Sequence, residues 1–136
     1  MSRAKPATSG SRRQGERGSA SIELVILLPA LFAVMFLGMQ AALFYHARTV
    51  AIAAAQEGAR AAGGENGTAS DGISAANVFV ADTGGDEVLA RVSTTSNRTT
   101  TTVTVTVTGH SLSVIPGWNP VVTQSASLPV ERLTAP

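Results

Sequence analysis

A run of 22 residues without a charged side chain, residues 24–45, constrains this chain more than any other feature. At a rise of about 1.5 Å per residue, a helix of that length covers the roughly 30 Å hydrocarbon layer of a bilayer. A secretory signal peptide has an apolar region of only about 7 to 15 residues, so cleavage at the small-x-small site Ala51-Ile52-Ala53 is not expected. The sequence therefore predicts a retained transmembrane helix in contact with the lipid bilayer.

Charge is distributed unevenly about this helix, although the formal net charge is only +1. Before Glu23 there are five basic residues and one acid, whereas after Tyr45 there are five arginines and seven acids. Positive flanks stay on the cytoplasmic side, so we expect residues 1–18 in the cytoplasm and the C-terminal part outside it. No aromatic residues are interleaved with the basic ones, so no nucleic-acid partner is expected. Residues 1–17 also lack apolar periodicity, which predicts a disordered leader.

The Ala-rich segment after Tyr45 contains no proline. This composition predicts that the helix continues into water, spans residues 21–62 and ends at Gly63-Gly64. Pro29 removes an amide donor inside the membrane segment, which predicts a kink or local melting there. A shallow apolar stripe, interrupted by Glu57 and Gly58, is expected to pack against a sheet or neighbouring helices. Its members are Val50, Ala53, Ala54 and Ala61.

Residues 63–136 are expected to form a small extracytoplasmic α+β domain. A short second helix is predicted over residues 73–82, capped by Ser70 or Asp71 and ended by Thr83-Gly84-Gly85. Without the leader and the membrane helix, fewer than about 100 residues remain to build a soluble core, and a core of that size is marginal. We therefore expect stabilisation by the membrane or by partners.

Alternating apolar residues after Asp86 predict a small antiparallel sheet of about three strands. The first strand is expected to place Leu89 on the face opposite its neighbours, and the third, over residues 121–132, to lie at an edge because of Pro129. The loop over residues 109–120 is expected to fold over the sheet or to meet a partner. The residues assigned to the apolar faces are Val88, Ala90 and Val92, then Val103, Val105 and Val107, then Val122, Ala126, Leu128 and Val130.

No constellation of residues indicates catalysis or metal binding. The chain has no cysteine, and His46 and His110 lie in different segments without carboxylates at ligand spacing. It has no Gly-x-Ser-x-Gly motif, no acid, base and nucleophile set, and no phosphate-binding loop. We therefore expect no metal, no cofactor and no enzymatic activity.

Glu23 stands at the boundary of the apolar run, where a carboxylate costs less than the roughly 2.5 to 3.5 kcal/mol expected at the bilayer centre. One interpretation is an interfacial glutamate that hydrogen-bonds the first turn of a helix, where negative charge is favoured. The other depends on Gly18, because Gly18, four residues, Glu23 and an apolar helix after a basic leader resemble the prepilin peptidase site of type IV pilin-like proteins. That resemblance implies cleavage between Gly18 and Ser19. The new ammonium group on Ser19 and the Glu23 carboxylate would then neutralise each other between adjacent subunits.

Residues 19–62 resemble, more narrowly, the TadE-like family of minor pilins and pseudopilins of the tight-adherence (Flp) type IV pilus system. The similarity covers about the first half of the chain. It rests on Glu23 at the start of the helix, on the early Pro29, and on the ending Glu57-Gly58-Ala59-Arg60-Ala61. The resemblance implies a pilin-like fold and assembly through the N-terminal helix. It also implies prepilin peptidase, other pilin-like subunits and Tad membrane assembly proteins as partners.

Alternatives remain open at several positions. Arg60 could anchor the helix to the sheet or to another subunit. Alternatively, it is an exposed arginine whose positive charge interacts favourably with the dipole at the C-terminal end of the helix. Gly58 costs about 1 kcal/mol in a helix relative to Ala, which suggests close packing. The Thr-rich strand over residues 99–108 either pairs with another chain as an edge or is a solvated face. For the whole protein, the alternative is a signal-anchored extracytoplasmic binding module without an assembly role.

Overall fold

The computed structural model describes residues 3–4 and 11–133. This part of the chain contains helices α1 (Ser11–Gly63) and α2 (Ala69–Asp82), a one-turn 3₁₀ helix (Gly85–Glu87), and strands β1 (Leu89–Arg98), β2 (Thr102–Ser111) and β3 (Val121–Pro129). The strands form one antiparallel sheet in the order β1-β2-β3. The predicted α+β class, with a long apolar helix, a short second helix and three strands, is confirmed.

The chain divides into two compact units, Met1–Leu37 and Gly38–Pro136. In the first unit, every large apolar side chain of residues 22–37 is between 44% and 73% exposed. A contiguous apolar surface of this extent is unusual for a protein in water and marks a surface that contacts lipid or another protein. The helix that carries it is long and apolar enough to cross a membrane.

α1 begins earlier than predicted. Residues 11–17 are helical, so the prediction of a disordered leader is wrong for them, while residues 1–2 and 5–10 lie outside the described part. Extending an existing helix avoids the cost of nucleation, and the Arg, Gln and Glu residues of this segment are good helix formers. The helix also continues through Pro29, so the predicted local melting does not occur. Neighbouring turns keep their own hydrogen bonds when one donor is missing.

The C-terminal half of α1 packs on the sheet through its smallest side chains. The predicted stripe is right for Val50 and Ala54, whereas Ala53 and Ala61 are only half-buried. Gly58 belongs to the buried face and does not interrupt it, because it is buried against α2 and β2. The alanines on this face permit a close approach of helix and sheet. The fully buried ones are Ala47, Ala51, Ala54, Ala55, Ala59 and Ala62.

α2 starts four residues before the predicted position. Its N-cap is Thr68, whose hydroxyl accepts a hydrogen bond from the Asp71 amide at 3.1 Å. The Asp71 carboxylate accepts in turn from the Thr68 amide at 2.9 Å, which completes a capping box. The expected cap at Ser70 or Asp71 is therefore wrong, since Asp71 is the third helical residue. The predicted stop is confirmed, because the Thr83 amide donates to the last carbonyls of the helix.

A β-bulge changes the face that the start of β1 buries. The register shifts between Ala90 and Ser93, and Arg91 takes a left-handed conformation with φ of 51°. One extra residue in a strand reverses the side-chain alternation on either side of it. Leu89 is therefore fully buried, contrary to the predicted alternation, and it fits against Gly109 of β2, where a Cβ would lie 2.6 Å from Leu89 Cγ.

β2 and β3 follow the predicted pattern more closely. Val103, Val105 and Val107 are fully buried, and β3 is an edge strand as expected. β3 ends at Pro129 and not near residue 132, because the following amides donate to Thr101 and to Gly63 of α1. The hydroxyls on the opposite face of β2 pair with those of β3, for example Thr106 with Ser125 at 2.7 Å. β2 is the central strand, so the idea that it offers a free edge to another chain is wrong.

Candidate processing and assembly site

The segment from Gly18 to Glu23 lies on the exposed surface of α1 in the first unit. A Cβ added to Gly18 would meet no atom within 4 Å, so packing within the chain does not require glycine there. Glycine is also a poor helix former, which weakens the helix at the peptide bond that follows it. Packing within the chain therefore does not explain why residue 18 is glycine.

Ser19 and Glu23 are four residues apart in the same helix, so they lie on one face, about 6 Å apart along the axis. Both residues are exposed, as is Arg17 two residues before Ser19. A cationic group at position 19 would thus stand one turn from the Glu23 carboxylate. Pro29 follows within the exposed apolar part of the helix.

Gly58 lies where α1 and α2 leave no room for a side chain. A Cβ on Gly58 would lie 2.6 Å from the Gly72 carbonyl oxygen and 3.0 Å from Val105 Cγ1. A Cβ on Gly72 would in turn lie 2.9 Å from Ala62 Cβ. The two glycines therefore allow α2 to pack directly on the backbone of α1, and this contact lies inside the second unit.

Within the described part of the chain, the guanidinium group of Arg60 forms no hydrogen bond with the sheet. It is exposed and forms an ion pair with Glu57 of the same helix, with 3.0 Å between Nη1 and Oε2. Exposed pairs of this kind contribute a few tenths of a kcal/mol. In the described residues this ion pair links Arg60 only to its own helix, and an anchoring contact of Arg60 with the β part or with another subunit stays a prediction.

Arg98, which the sequence reasoning missed, makes that connection. The Arg98 side chain donates from Nε to the Ala62 carbonyl at 2.8 Å and from Nη2 to the Gly64 carbonyl at 3.4 Å. The last carbonyls of a helix lack partners within it, and a cation at this end also favours the helix dipole. Arg98 thus ties the end of β1 to the end of α1. In the sequence Arg98 stands at the polar end of a strand, as a solvated arginine would. No sequence signal therefore distinguishes it.

Gln40 is the second residue that the sequence reasoning missed. Gln40 is 3% exposed, and its side-chain amide makes three hydrogen bonds to the loop between β2 and β3. Oε1 accepts from the Val114 amide at 2.9 Å and from the Ser113 hydroxyl at 3.0 Å, and Nε2 donates to the Leu112 carbonyl at 3.3 Å. The sequence signal that could have found Gln40 is its position as the single amide side chain within the apolar run of residues 24–45.

The described residues form no cluster of three His, Asp or Glu side chains placed to hold a metal ion. The fold and these contacts define a small α+β protein whose first helix carries a long exposed apolar surface with a Gly-x4-Glu pattern at its start. Residues 18–60 match the family model described as TadE-like protein, which confirms the TadE-like resemblance over that segment. The match suggests involvement with the Tad pilus. No curated protein and no solved structure matches the chain significantly.

Proposed function

We propose that this protein is a minor pilin or pseudopilin of TadE type that takes part in assembly of a tight-adherence pilus or secretion system. The observation that carries the proposal is the family match, which begins at Gly18 and ends at Arg60. It therefore starts at the residue after which cleavage is expected, and it includes Glu23, Pro29 and Gly58. The TadE-like family is not known as a family of enzymes, and the proposed protein is a substrate of a peptidase and a structural partner.

The exposed apolar surface of residues 22–37 supports insertion into a bilayer as a single-pass anchor. The basic residues before Glu23 favour a cytoplasmic N-terminus and an extracytoplasmic C-terminal domain. In this topology the Gly18–Ser19 bond faces the cytoplasm, where prepilin peptidase is expected to cut. The bond lies within α1, so the helix must open locally before cleavage, and glycine makes that opening less costly.

Cleavage would create an ammonium group at Ser19, one helical turn from the Glu23 carboxylate. Opposite charges at the edge of a low-dielectric layer attract more strongly than they do in water. In a bundle of pilin-like helices, the ammonium group of one subunit and the carboxylate of the next would be neutralised together. The exposed apolar face of residues 22–37 supplies the area for such helix contacts, with prepilin peptidase, pilin-like subunits and Tad membrane assembly proteins as partners.

The mass of the protein extracted from membranes tests the processing step. We expect loss of residues 1–18, and a Gly18→Leu variant should retain them. Gly38→Leu is the matched control, because a Cβ at either glycine meets no atom within 4 Å and both lie in α1. An intact leader in the unaltered protein, or normal cleavage of Gly18→Leu, would contradict the proposal.

Replacement of the membrane helix separates assembly from the alternative of a signal-anchored binding module. Residues 24–37 can be exchanged for an unrelated apolar helix without touching the second unit, which begins at Gly38. Assembly through the helix predicts that this exchange abolishes crosslinks to other pilin-like subunits at positions near Glu23. A binding module would keep its function after the exchange.

A further inference from the structure

The loop between β2 and β3, residues 112–120, exposes apolar side chains and contains no charged residue. Leu112 and Trp118 are exposed, Trp118 at 50%, as is Val121 at the start of β3. A half-exposed tryptophan on an uncharged loop indicates a contact site, because covering it does not require any charged group to lose its water.

Hydrogen bonds within this loop and at its base order its backbone. The Trp118 amide donates to the Ile115 carbonyl at 3.3 Å, with Pro116 and Gly117 between them. Gly117 has φ of 78°, which fits the third position of a type II turn with proline at the second. At the base of the loop, the Ser111 amide donates to the Pro120 carbonyl at 2.9 Å. A preformed loop loses little conformational entropy when it binds.

Gln40 fixes the position of the loop along α1. Its three hydrogen bonds end on Leu112, Ser113 and Val114, so the start of the loop lies beside residue 40 of the helix. Residue 40 belongs to the apolar run of residues 24–45, and its neighbour Met39 is exposed. The same contact supplies the partners that a primary amide requires when it is withdrawn from water.

The length of the apolar run sets the depth of this contact in a bilayer. About 20 helical residues cover the hydrocarbon layer, so a span that starts at Leu24 ends near Leu43, and Gln40 lies about 5 Å inside that boundary. Tyr45, which is exposed, then falls in the interfacial layer. Trp and Tyr are the residues enriched at this level of membrane proteins.

We propose that residues 112–118 form a second membrane contact, in which Leu112 and Trp118 enter the interfacial layer of the outer leaflet beside the anchor helix. This inference rests on the proposed membrane anchoring. The contact would hold the extracytoplasmic domain in one orientation on the bilayer, with the Gln40 hydrogen bonds shielded from water. The loop has no charge, so a neutral lipid surface is sufficient for binding.

Fluorescence of the full chain in phosphatidylcholine vesicles tests this proposal directly, because Trp118 is the only tryptophan of the sequence. Flotation of the vesicles first shows whether the chain is bound to them. We expect blue-shifted Trp118 emission, strong quenching by lipids brominated near the headgroup, and protection from acrylamide in the water phase.

A double variant, Trp118→Phe with Leu133→Trp, is the matched control. Leu133 is 78% exposed, and its neighbour Arg132 donates to the Thr100 carbonyl near the hairpin turn. Glu131 bonds to Gly63 of α1, which is about 35 Å along the helix axis from Gln40. Tryptophan at position 133 should therefore be quenched by acrylamide and unaffected by brominated lipid.

The outcomes are distinct. If the chain floats with the vesicles but Trp118 behaves like the control, the loop contact is refuted and the anchor stands. If Trp118 is protected from acrylamide yet not quenched by brominated lipid, a protein covers the loop, which also overturns the lipid contact. A chain that does not float refutes the anchoring and the loop contact together.

Discussion

Replacing Gly58 by alanine tests whether this glycine serves the fold or assembly with other subunits. The added Cβ would lie 2.6 Å from the Gly72 carbonyl oxygen, 3.0 Å from Val105 Cγ1 and 3.1 Å from Ala76 Cβ. The nearest of these atoms belongs to the backbone of α2 and cannot rotate away, so α2 must shift. Overpacking of a core costs about 1 to 3 kcal/mol, while alanine returns about 1 kcal/mol of helix propensity. The difference between these two terms is about 0 to 2 kcal/mol. Because the clash involves backbone, we expect a net loss of unfolding free energy at the upper end of that range, about 2 kcal/mol.

In a domain of 60 to 100 residues, a loss of that size lowers Tm by roughly 8 to 16 °C. The assay is thermal unfolding of the full chain in neutral lipid vesicles, followed by the fluorescence of Trp118 and by the circular dichroism of the sheet. Gly38→Ala is the matched control, because it makes the same change in the same helix where the Cβ meets no atom within 4 Å. Its Tm should be unchanged or slightly higher.

A Gly58→Ala variant as stable as Gly38→Ala would refute this packing argument. If such a stable variant also lost its crosslinks to other pilin-like subunits, Gly58 would face another subunit. Loss of stability in Gly58→Ala, by contrast, would mean that any assembly defect follows from the displaced α2. The two readouts together therefore separate a role in folding from a role in the interface.

The remaining predictions concern the two connections that the sequence reasoning missed. Gln40→Leu leaves the Val114 amide and the Leu112 carbonyl without their partner, at a cost of about 1 to 3 kcal/mol of unfolding free energy. Hydrogen exchange of the Val114 amide should accelerate, and an unchanged exchange rate would contradict the role of Gln40 in holding the loop. Arg98→Met removes two hydrogen bonds from a charged donor, which should cost about 1.5 to 3 kcal/mol of unfolding free energy. Arg60→Ala should cost less than about 0.5 kcal/mol, because its ion pair is exposed. Equal losses of Tm in these two arginine variants would show that the distinction between them is wrong.

Local sequence patterns were sufficient to predict the types of α1, α2 and the three strands, although not the helical residues 11–17 or the 3₁₀ helix. The length of the apolar run over residues 24–45 predicts a helix, and the alternation of Val103, Val105 and Val107 with threonines predicts a strand with one buried face. These patterns depend on the neighbours of each residue in the chain, so they are visible without a structure. The motif from Gly18 to Glu23 is local in the same sense, and the family match covers it.

Contacts between distant segments decided the rest. Leu89 is buried because a bulge at Arg91 shifts the register, and alternation alone cannot show an added residue in a strand. Arg98 and Arg60 look equally solvated in the sequence, yet only Arg98 reaches the carbonyls at the end of α1. Gln40 finds its partners more than 70 residues away in the chain. Hydrogen bonds and close packing of this kind depend on the folded arrangement, so only the tertiary structure could place these side chains.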